Sequence, residues 1–236
     1  MRSHHIKAIF FDAAGTLFTV NGSVGEIYAR IARDYGKEVS VSDLEAGFRR
    51  SYVTAPPMAF PDAAPGQIPA LERQWWRDLV QAVFSSLGPF PRFDEYFAAL
   101  FSFFARAEAW RLYPETLLTL EKLQQHDLSL GIISNFDSRL LGLLDGLGIS
   151  SFFDSVVIST HAGAAKPEQK IFAQALTRIG VKANEALHVG DSYEADIVGA
   201  AAAGIAPVLI DRRIQEQESN EYLTVSTLEA LLKVLE

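Results

Sequence analysis

Cysteine is absent from the 236 residues. Disulfides and thiolate metal ligands are therefore excluded, and the composition suits a reducing compartment such as the cytoplasm. Positive charge is also scarce. Twenty-one Lys and Arg face 29 Asp and Glu, a net charge of -8. That balance argues against nucleic acid or an anionic membrane as a main partner. It does not exclude an anionic substrate, because a bound cation can reverse the field locally. No apolar run approaches the roughly 18 residues of a membrane helix. Met1–Lys7 lacks the basic region and signal-length apolar stretch of a leader peptide, and His4 and His5 within it read as an exposed leader. What is present, 49% hydrophobic and 21% charged residues, is enough to bury a substantial core at this length.

Short apolar runs, several rich in β-branched residues, punctuate the chain. Ile6–Phe11, Leu128–Ser134, Ser155–Ser159, Ala186–Val189 and Ala206–Ile210 each end in polar or glycine-containing sequence and predict buried strands. Helical patterns alternate with them at Pro114–His126, Ser138–Leu147, Pro167–Ile179 and Glu194–Ala203, the last with Gly204 placed to cap it. Strand–helix alternation predicts an α/β fold, a Rossmann-like doubly wound parallel sheet. Residues 18–109 break the rhythm. Gly25–Gly36, Leu71–Leu87 and Phe93–Ala107 read as helices, while five prolines between Ala55 and Pro69 mark a loop. The expected organisation is a core of residues 1–17 and 110–236 carrying a helical cap of 18–109, hinged near Phe18–Gly22 and Glu108–Pro114. The cap is aromatic: Trp75, Trp76, Phe84, Phe97, Phe101, Phe103 and Phe104. Helical spacing assigns these to packing in preference to a substrate cage.

Chemistry-bearing residues follow the predicted strands, and in an open parallel sheet all those ends share one edge. Asp12-Ala13-Ala14-Gly15-Thr16 puts a carboxylate on a sharp turn, where it can act as nucleophile and metal ligand. Ser134-Asn135 offers a hydroxyl and backbone N–H groups to an anionic oxygen. Lys166-Pro167 sets a lysine against a helix N-terminus, where the dipole demands an anion or carboxylate nearby. Asp191 and Asp196 lie about one helical turn apart and suit a hard cation such as Mg²⁺. Each site alone is ordinary turn or cap chemistry.

Taken together in this order, the four sites resemble the haloacid dehalogenase-like hydrolase superfamily, across residues 6–17 and about 110–212. The insertion after the first motif resembles the helical cap of one large subgroup. The resemblance implies a phosphatase. In it Asp12 is the nucleophile and Lys166 assists it. Gly15, Thr16, Ser134, Asn135 and Lys166 hold phosphate. Asp12, the Ala14 carbonyl and Asp191 bind Mg²⁺, and Asp196 supports the metal from the same helix. The substrate would be a small phosphorylated metabolite, and the protein a monomer or homodimer.

Ala14 departs from the pattern, since most phosphatases of this family carry a second aspartate there. A methyl group neither protonates a leaving oxygen nor activates water, so poor leaving groups should turn over slowly. Alanine also occurs there in the phosphonatase branch, which uses a cap lysine. Lys37, the only lysine between residues 18 and 109, looks too far from the hinge. The dehalogenase branch works without metal, which fits poorly with retention of Asp191 and Asp196. A weakened relative that binds a phosphorylated ligand or a protein is the remaining alternative. Arg49, Arg50, Arg73 and Arg77 read as surface charge.

Overall fold

Side-chain alternation in the first strand divides the molecule into layers. In the computed structural model, which describes residues 6–213, 217–218 and 222–235, β1 (Ala8–Phe11) is buried throughout. Ile9 and Phe11 enter one apolar cluster, Ala8 and Phe10 the other. A strand with both faces covered is what a parallel sheet between two helical layers requires. The His4 and His5 reading lies outside the described residues.

The other strands are β2 (Phe18–Val20), β3 (Trp110–Leu112), β4 (Ser129–Ser134), β5 (Ser155–Ile158), β6 (Ala186–Gly190), β7 (Ala206–Ile210), β8 (Gln217–Glu218) and β9 (Leu223–Val225). The main sheet runs β5-β4-β1-β6-β7-β9-β8; the first six strands are parallel and β8 is an antiparallel edge. The chain adds β4 and β5 on one side of β1, then crosses to place β6 on the other. The C-terminal ends of β1, β4 and β6 therefore meet at a topological switch point, where a doubly wound sheet opens a crevice.

Helices α1 (Val24–Asp34), α2 (Val41–Thr54), α3 (Ile68–Phe84) and α4 (Phe93–Phe103) lie between β2 and β3 and share a separate apolar cluster. Helices α5 (Thr116–Leu123), α6 (Arg139–Gly146), α7 (Ser159–Ala162), α8 (Gln169–Ile179), α9 (Gly199–Ala202) and α10 (Ala230–Leu235) belong to the core half of the chain. None of the described helices is long and apolar enough to cross a membrane.

Differences from the sequence reading have local causes. α2 was not expected: it buries only Leu44 and Gly47, too narrow a stripe to register as apolar periodicity. The Ser40 hydroxyl starts it by accepting from the Asp43 N–H. α3 begins earlier than expected, with Pro69 in its first turn, where the missing N–H costs nothing. Pro167 does not begin α8. It follows a cis peptide from Lys166, and the helix starts at Gln169 with Glu168 as its cap residue. The expected helix from Glu194 opens with a π turn, Tyr193–Val198, before α9. β2 and β3 pair antiparallel at the expected hinge segments, Phe18 opposite Leu112 and Val20 opposite Trp110. Three-residue strands are too short to show alternation in sequence.

Two side chains of α3 fasten the helical insertion to the core. Glu72, buried, accepts from Thr160 Oγ1 (2.6 Å), Ser138 Oγ (2.8 Å) and Ser138 N (2.9 Å). One turn on, Trp76 Nε1 donates to Asp137 Oδ2 at 2.5 Å. Positions i and i+4 share a helix face, so both bonds arise from one docking orientation.

Candidate active site

Backbone geometry aims Asp12 at the sheet edge. Its N–H continues the ladder by donating to the Val189 carbonyl, and the turn then reverses through Gly15, whose φ is 98°. Space makes a second demand on that glycine: a Cβ there would fall 2.3 Å from Asp191 Oδ2. The turn and the end of β6 thus approach only because Gly15 has no side chain. Gly190 repeats the device, since its Cβ would fall 2.1 Å from Asp196 Cγ.

Lys166 links the cluster. Its Nζ lies 2.7 Å from Asp12 Oδ1 and 2.5 Å from Asp196 Oδ1, and the side chain is buried. Asp196 Oδ1 also meets His188 Nε2 at 2.9 Å, and Asp196 Oδ2 accepts from Ser192 N at 3.0 Å. Both Asp196 oxygens are therefore engaged by the protein. Asp12 and Asp191 retain free acceptor capacity, and ligand atoms of the three carboxylates lie within 4.8 Å of one another.

Three carboxylates against one lysine leave excess negative charge, and the titration behaviour reflects it. Burial pushes the Asp12 carboxyl above its ordinary value, against opposing hydrogen bonds from Lys166 and Ser134. Asp191 is pushed up to about 7 by desolvation and by the nearby charges of Asp12 and Asp196. Asp196 goes the other way: burial would raise it, but Lys166 and the His188 hydrogen bond hold it below the carboxylate range. For Lys166, burial is outweighed by the two acids, which hold its ammonium at about 12. Burial lowers His188, so it favours the neutral form. A hard divalent cation fits this set: oxygen donors, surplus negative charge and a cradle that a Cβ at residue 15 would fill. The Ala14 carbonyl takes no hydrogen bond among the described residues, so both its lone pairs are available to a cation.

A pH dependence follows. An acid whose folded-state pKa is raised destabilises the fold as pH climbs from its ordinary value toward the raised one. For Asp191 that window runs from about 4 to about 7. A cation replaces the proton, so its stabilising effect grows through the same window. The Mg²⁺-induced rise in Tm should be clearly larger at about pH 8 than at about pH 5.5. Equal shifts in a thermal-melt series would remove the electrostatic case for a cation here.

The other residues singled out in the sequence divide into two groups. Ser134, Asn135, Ala14, Asp12, Lys166, Asp191 and Asp196 all line one cavity of about 430 Å³. Asn135 uses its side chain as a backbone clamp, donating to Lys166 O (2.9 Å) and accepting from Lys166 N (2.7 Å). Contact with an anion is left to its backbone N–H. Gly15 and Thr16 do not line the cavity. The Gly15 N–H donates to Phe18 O, and Thr16 is fully buried with its hydroxyl unpartnered among the described residues.

Residues the sequence did not single out complete the surroundings. Arg212, at the end of β7, donates to the Gly15 and Thr16 carbonyls, both at 2.8 Å, and pairs with Glu115. It steadies the turn bearing Asp12. Its only sequence signal was its position directly beyond a predicted strand. The seven aromatic residues pack in or against the helical cluster as expected, and four of them, Trp76, Phe97, Phe101 and Phe104, also wall the cavity that Asp12 lines. Periodicity identifies a buried face without telling whether a neighbouring side chain or a void lies opposite. Lys37 is held by the Leu87 and Pro89 carbonyls and does not line the cavity.

This constellation has a recognised owner: a model of haloacid dehalogenase-like hydrolases matches residues 6–204. The chain is a haloacid dehalogenase-like hydrolase. It is 34% identical over 211 residues to haloacid dehalogenase-like hydrolase domain-containing protein 3 of Danio rerio, covering 88% of this chain and 86% of that protein. It is 38% identical over 109 residues to a glyceraldehyde 3-phosphate phosphatase of Methanothermobacter thermautotrophicus, covering 46% of this chain and 48% of that one. Among solved structures it resembles a HAD phosphatase from Thermococcus onnurineus, with a TM-score of 0.67, 25% identity and 98% of each chain covered. The α/β core with its helical insertion is thus this hydrolase family's architecture.

Proposed function

We propose that this hydrolase is a Mg²⁺-dependent phosphatase acting on a small phosphorylated metabolite through an aspartyl-phosphate on Asp12. The observation that carries the reading is the bridge of Lys166 Nζ to Asp12 and Asp196, beside Asp191 and at the wall of a cavity. A carboxylate approaching an anionic phosphoryl group needs fixed positive charge and exact placement more than covalent assistance. Lys166 supplies the charge, Asn135 fixes the Lys166 backbone, and the Ser134 hydroxyl stands at the end of the neighbouring strand to hold a phosphoryl oxygen. Asp12 and Asp191, with the Ala14 carbonyl, would hold Mg²⁺, which when bound offsets the charge of nucleophile and phosphoryl group. Asp196 and His188 keep Lys166 oriented. A cytoplasmic location, with no nucleic acid or membrane partner and a monomeric or homodimeric state, belongs to the same proposal. The phosphonatase alternative loses support, because Lys37 is occupied away from the cavity.

The test is phosphate release, with and without Mg²⁺, from p-nitrophenyl phosphate, acetyl phosphate and a panel of phosphorylated metabolites. Mg²⁺-dependent release is expected. Complete inertness in protein that still binds Mg²⁺ would favour a role in binding instead. The same assay checks the role of residue 14. Ala14→Asp should raise turnover of alkyl phosphates about 10²-fold or more, the usual value of a positioned acid–base group. The kcat/KM of acetyl phosphate, whose leaving group needs no proton, should respond far less. Unchanged alkyl-phosphate turnover in a folded variant would show that proton transfer at this position is not what restrains the enzyme.

A further inference from the structure

We infer that the leaving group is an apolar aromatic alcohol, so that the substrates are aryl phosphomonoesters. This rests on the phosphatase reading and specifies its substrate class. Three features of the cavity carry it.

The first is the wall. Besides Asp12 the cavity is lined by Tyr28, Phe48, Tyr52, Trp76, Phe101 and Phe104, all from the helical insertion. Its volume, about 430 Å³, lies at the small end of the roughly 300–1,000 Å³ range of small-molecule sites. Phe48 and Tyr52 stack at 5.5 Å, and Trp75 meets the Tyr52 ring edge-on at 6.3 Å. These ring contacts hold Phe48 and Tyr52 in the wall, and a flat aromatic group can pack on such a surface.

The second feature is the commitment of the polar groups on that wall. Arg139 is the lining cation other than Lys166. Its Nη2 and Nε grip Asp137 at 2.6 and 2.9 Å, its Nη1 donates to Phe101 O at 3.1 Å, and its guanidinium lies 4.0 Å from the Phe101 ring centre. Trp76 has spent its N–H on the same Asp137. Among the described residues, a second phosphate or a carboxylate on the substrate would find no unpaired cation on this wall. A sugar would bury hydroxyls against rings, at the cost of unmade hydrogen bonds. The phenols of Tyr28 and Tyr52 are the polar capacity that remains on the aromatic side.

The third is Ala14, which also lines the cavity and supplies no proton. An Asp12 oxygen forms its bond to phosphorus as the bond from phosphorus to the ester oxygen breaks, and the electron pair departs with that oxygen. A phenolate can leave unprotonated and take its proton from solvent, because a phenol ionises near 10. An alkoxide resembles hydroxide, whose parent acid has a pKa of about 15.7, and needs an acid at hand. Water then cleaves the aspartyl-phosphate, returning the carboxylate and releasing phosphate.

The experiment compares kcat/KM for 1-naphthyl phosphate, n-hexyl phosphate, glucose 6-phosphate and acetyl phosphate. Naphthyl phosphate should exceed glucose 6-phosphate by about 100-fold or more and hexyl phosphate by at least about 10-fold, within the scale of one acid–base group. Acetyl phosphate needs neither the ring wall nor an acid and reports the phosphatase chemistry alone. If it is hydrolysed while glucose 6-phosphate or hexyl phosphate equals or beats naphthyl phosphate, the aromatic assignment is overturned and the phosphatase reading stands. If acetyl phosphate is also inert, the phosphatase reading itself fails. Two further results place the ring. 1-Naphthol should inhibit acetyl phosphate hydrolysis competitively in the unaltered protein. Tyr52→Ala should lower the naphthyl-to-acetyl ratio of kcat/KM by about 10-fold, as loss of one aromatic contact would. Absence of inhibition, or an unchanged ratio, overturns the placement.

Discussion

Asp12→Asn should abolish phosphate release without weakening the fold. The carboxamide matches the carboxylate in size but is a far poorer nucleophile, so kcat should fall by at least about 10⁴-fold, as when other enzymes lose theirs. Stability should move the other way or not at all. Burial and the charges of Lys166 and Asp196 set opposing pressures on Asp12, and the net effect raises its pKa, so the ionised side chain is a liability in the metal-free fold. A neutral isostere removes that liability, while Lys166 keeps its contact with Asp196. The expected pair of results is a phosphate-release rate at background and a Tm, without metal, equal to or above that of the parent. Mg²⁺ should also stabilise the variant less than the parent, since one anionic ligand is gone. Retention of even a tenth of the activity would show that Asp12 is not the attacking group.

Lys166→Met should be the most damaging single exchange at neutral pH. Methionine fills much of the same space, so the loss is electrostatic. Lys166 is almost fully buried between Asp12 and Asp196, and removing the cation leaves both acids in a desolvated site with no counter-charge. Breaking a buried ion pair in this one-sided way costs about 3–5 kcal/mol. At a size like this one, that is a fall in Tm on the order of 10 °C. Without Lys166 the pKa values of both acids would stand above their ordinary ones, so the deficit should open as pH rises above about 4 and be small below it. Adding Asp12→Asn should recover part of the loss, making the two substitutions less than additive. Thermal or urea unfolding of the three variants across pH measures all of this. A deficit that is small and independent of pH would mean that the cluster is better solvated than its geometry implies.

The site residues were legible in the sequence to different depths, for reasons that differ physically. Asp12, Ser134, Lys166 and Asp191 stand at or directly beyond strand ends or near the start of the next helix. A parallel sheet forces such positions to one edge whatever the rest of the fold does. Asn135 was legible as a position but not as a role. Its side chain closes on the Lys166 backbone 31 residues away, and nothing local signals that partner. Gly15 and Thr16 were read as phosphate holders, whereas in the structure Gly15 serves the close approach of Asp191 and Thr16 is packed away. Arg212 and Glu72 escaped notice because a single charged residue on a helix or at a strand end is usually solvated. Only the tertiary contacts show that these two are not.

The sequence by itself determined the alternation of strands and helices, the interruption by a helical segment after β1, and the gathering of acids and a lysine at one edge. Each depends on periodicity or on chain punctuation, which operate over a few residues. The tertiary structure decided what faces the acids. Helix α3 docks through Glu72 and Trp76, and Tyr52, Phe101 and Phe104 line the same cavity as Asp12, the last two while also packing against the helical cluster. An apolar helix face is equally content against a side chain, a neighbouring helix or an aromatic ligand, since burial does not depend on direction. The orientation of the insertion, which joins the core through the paired β2 and β3, settles which of these it meets.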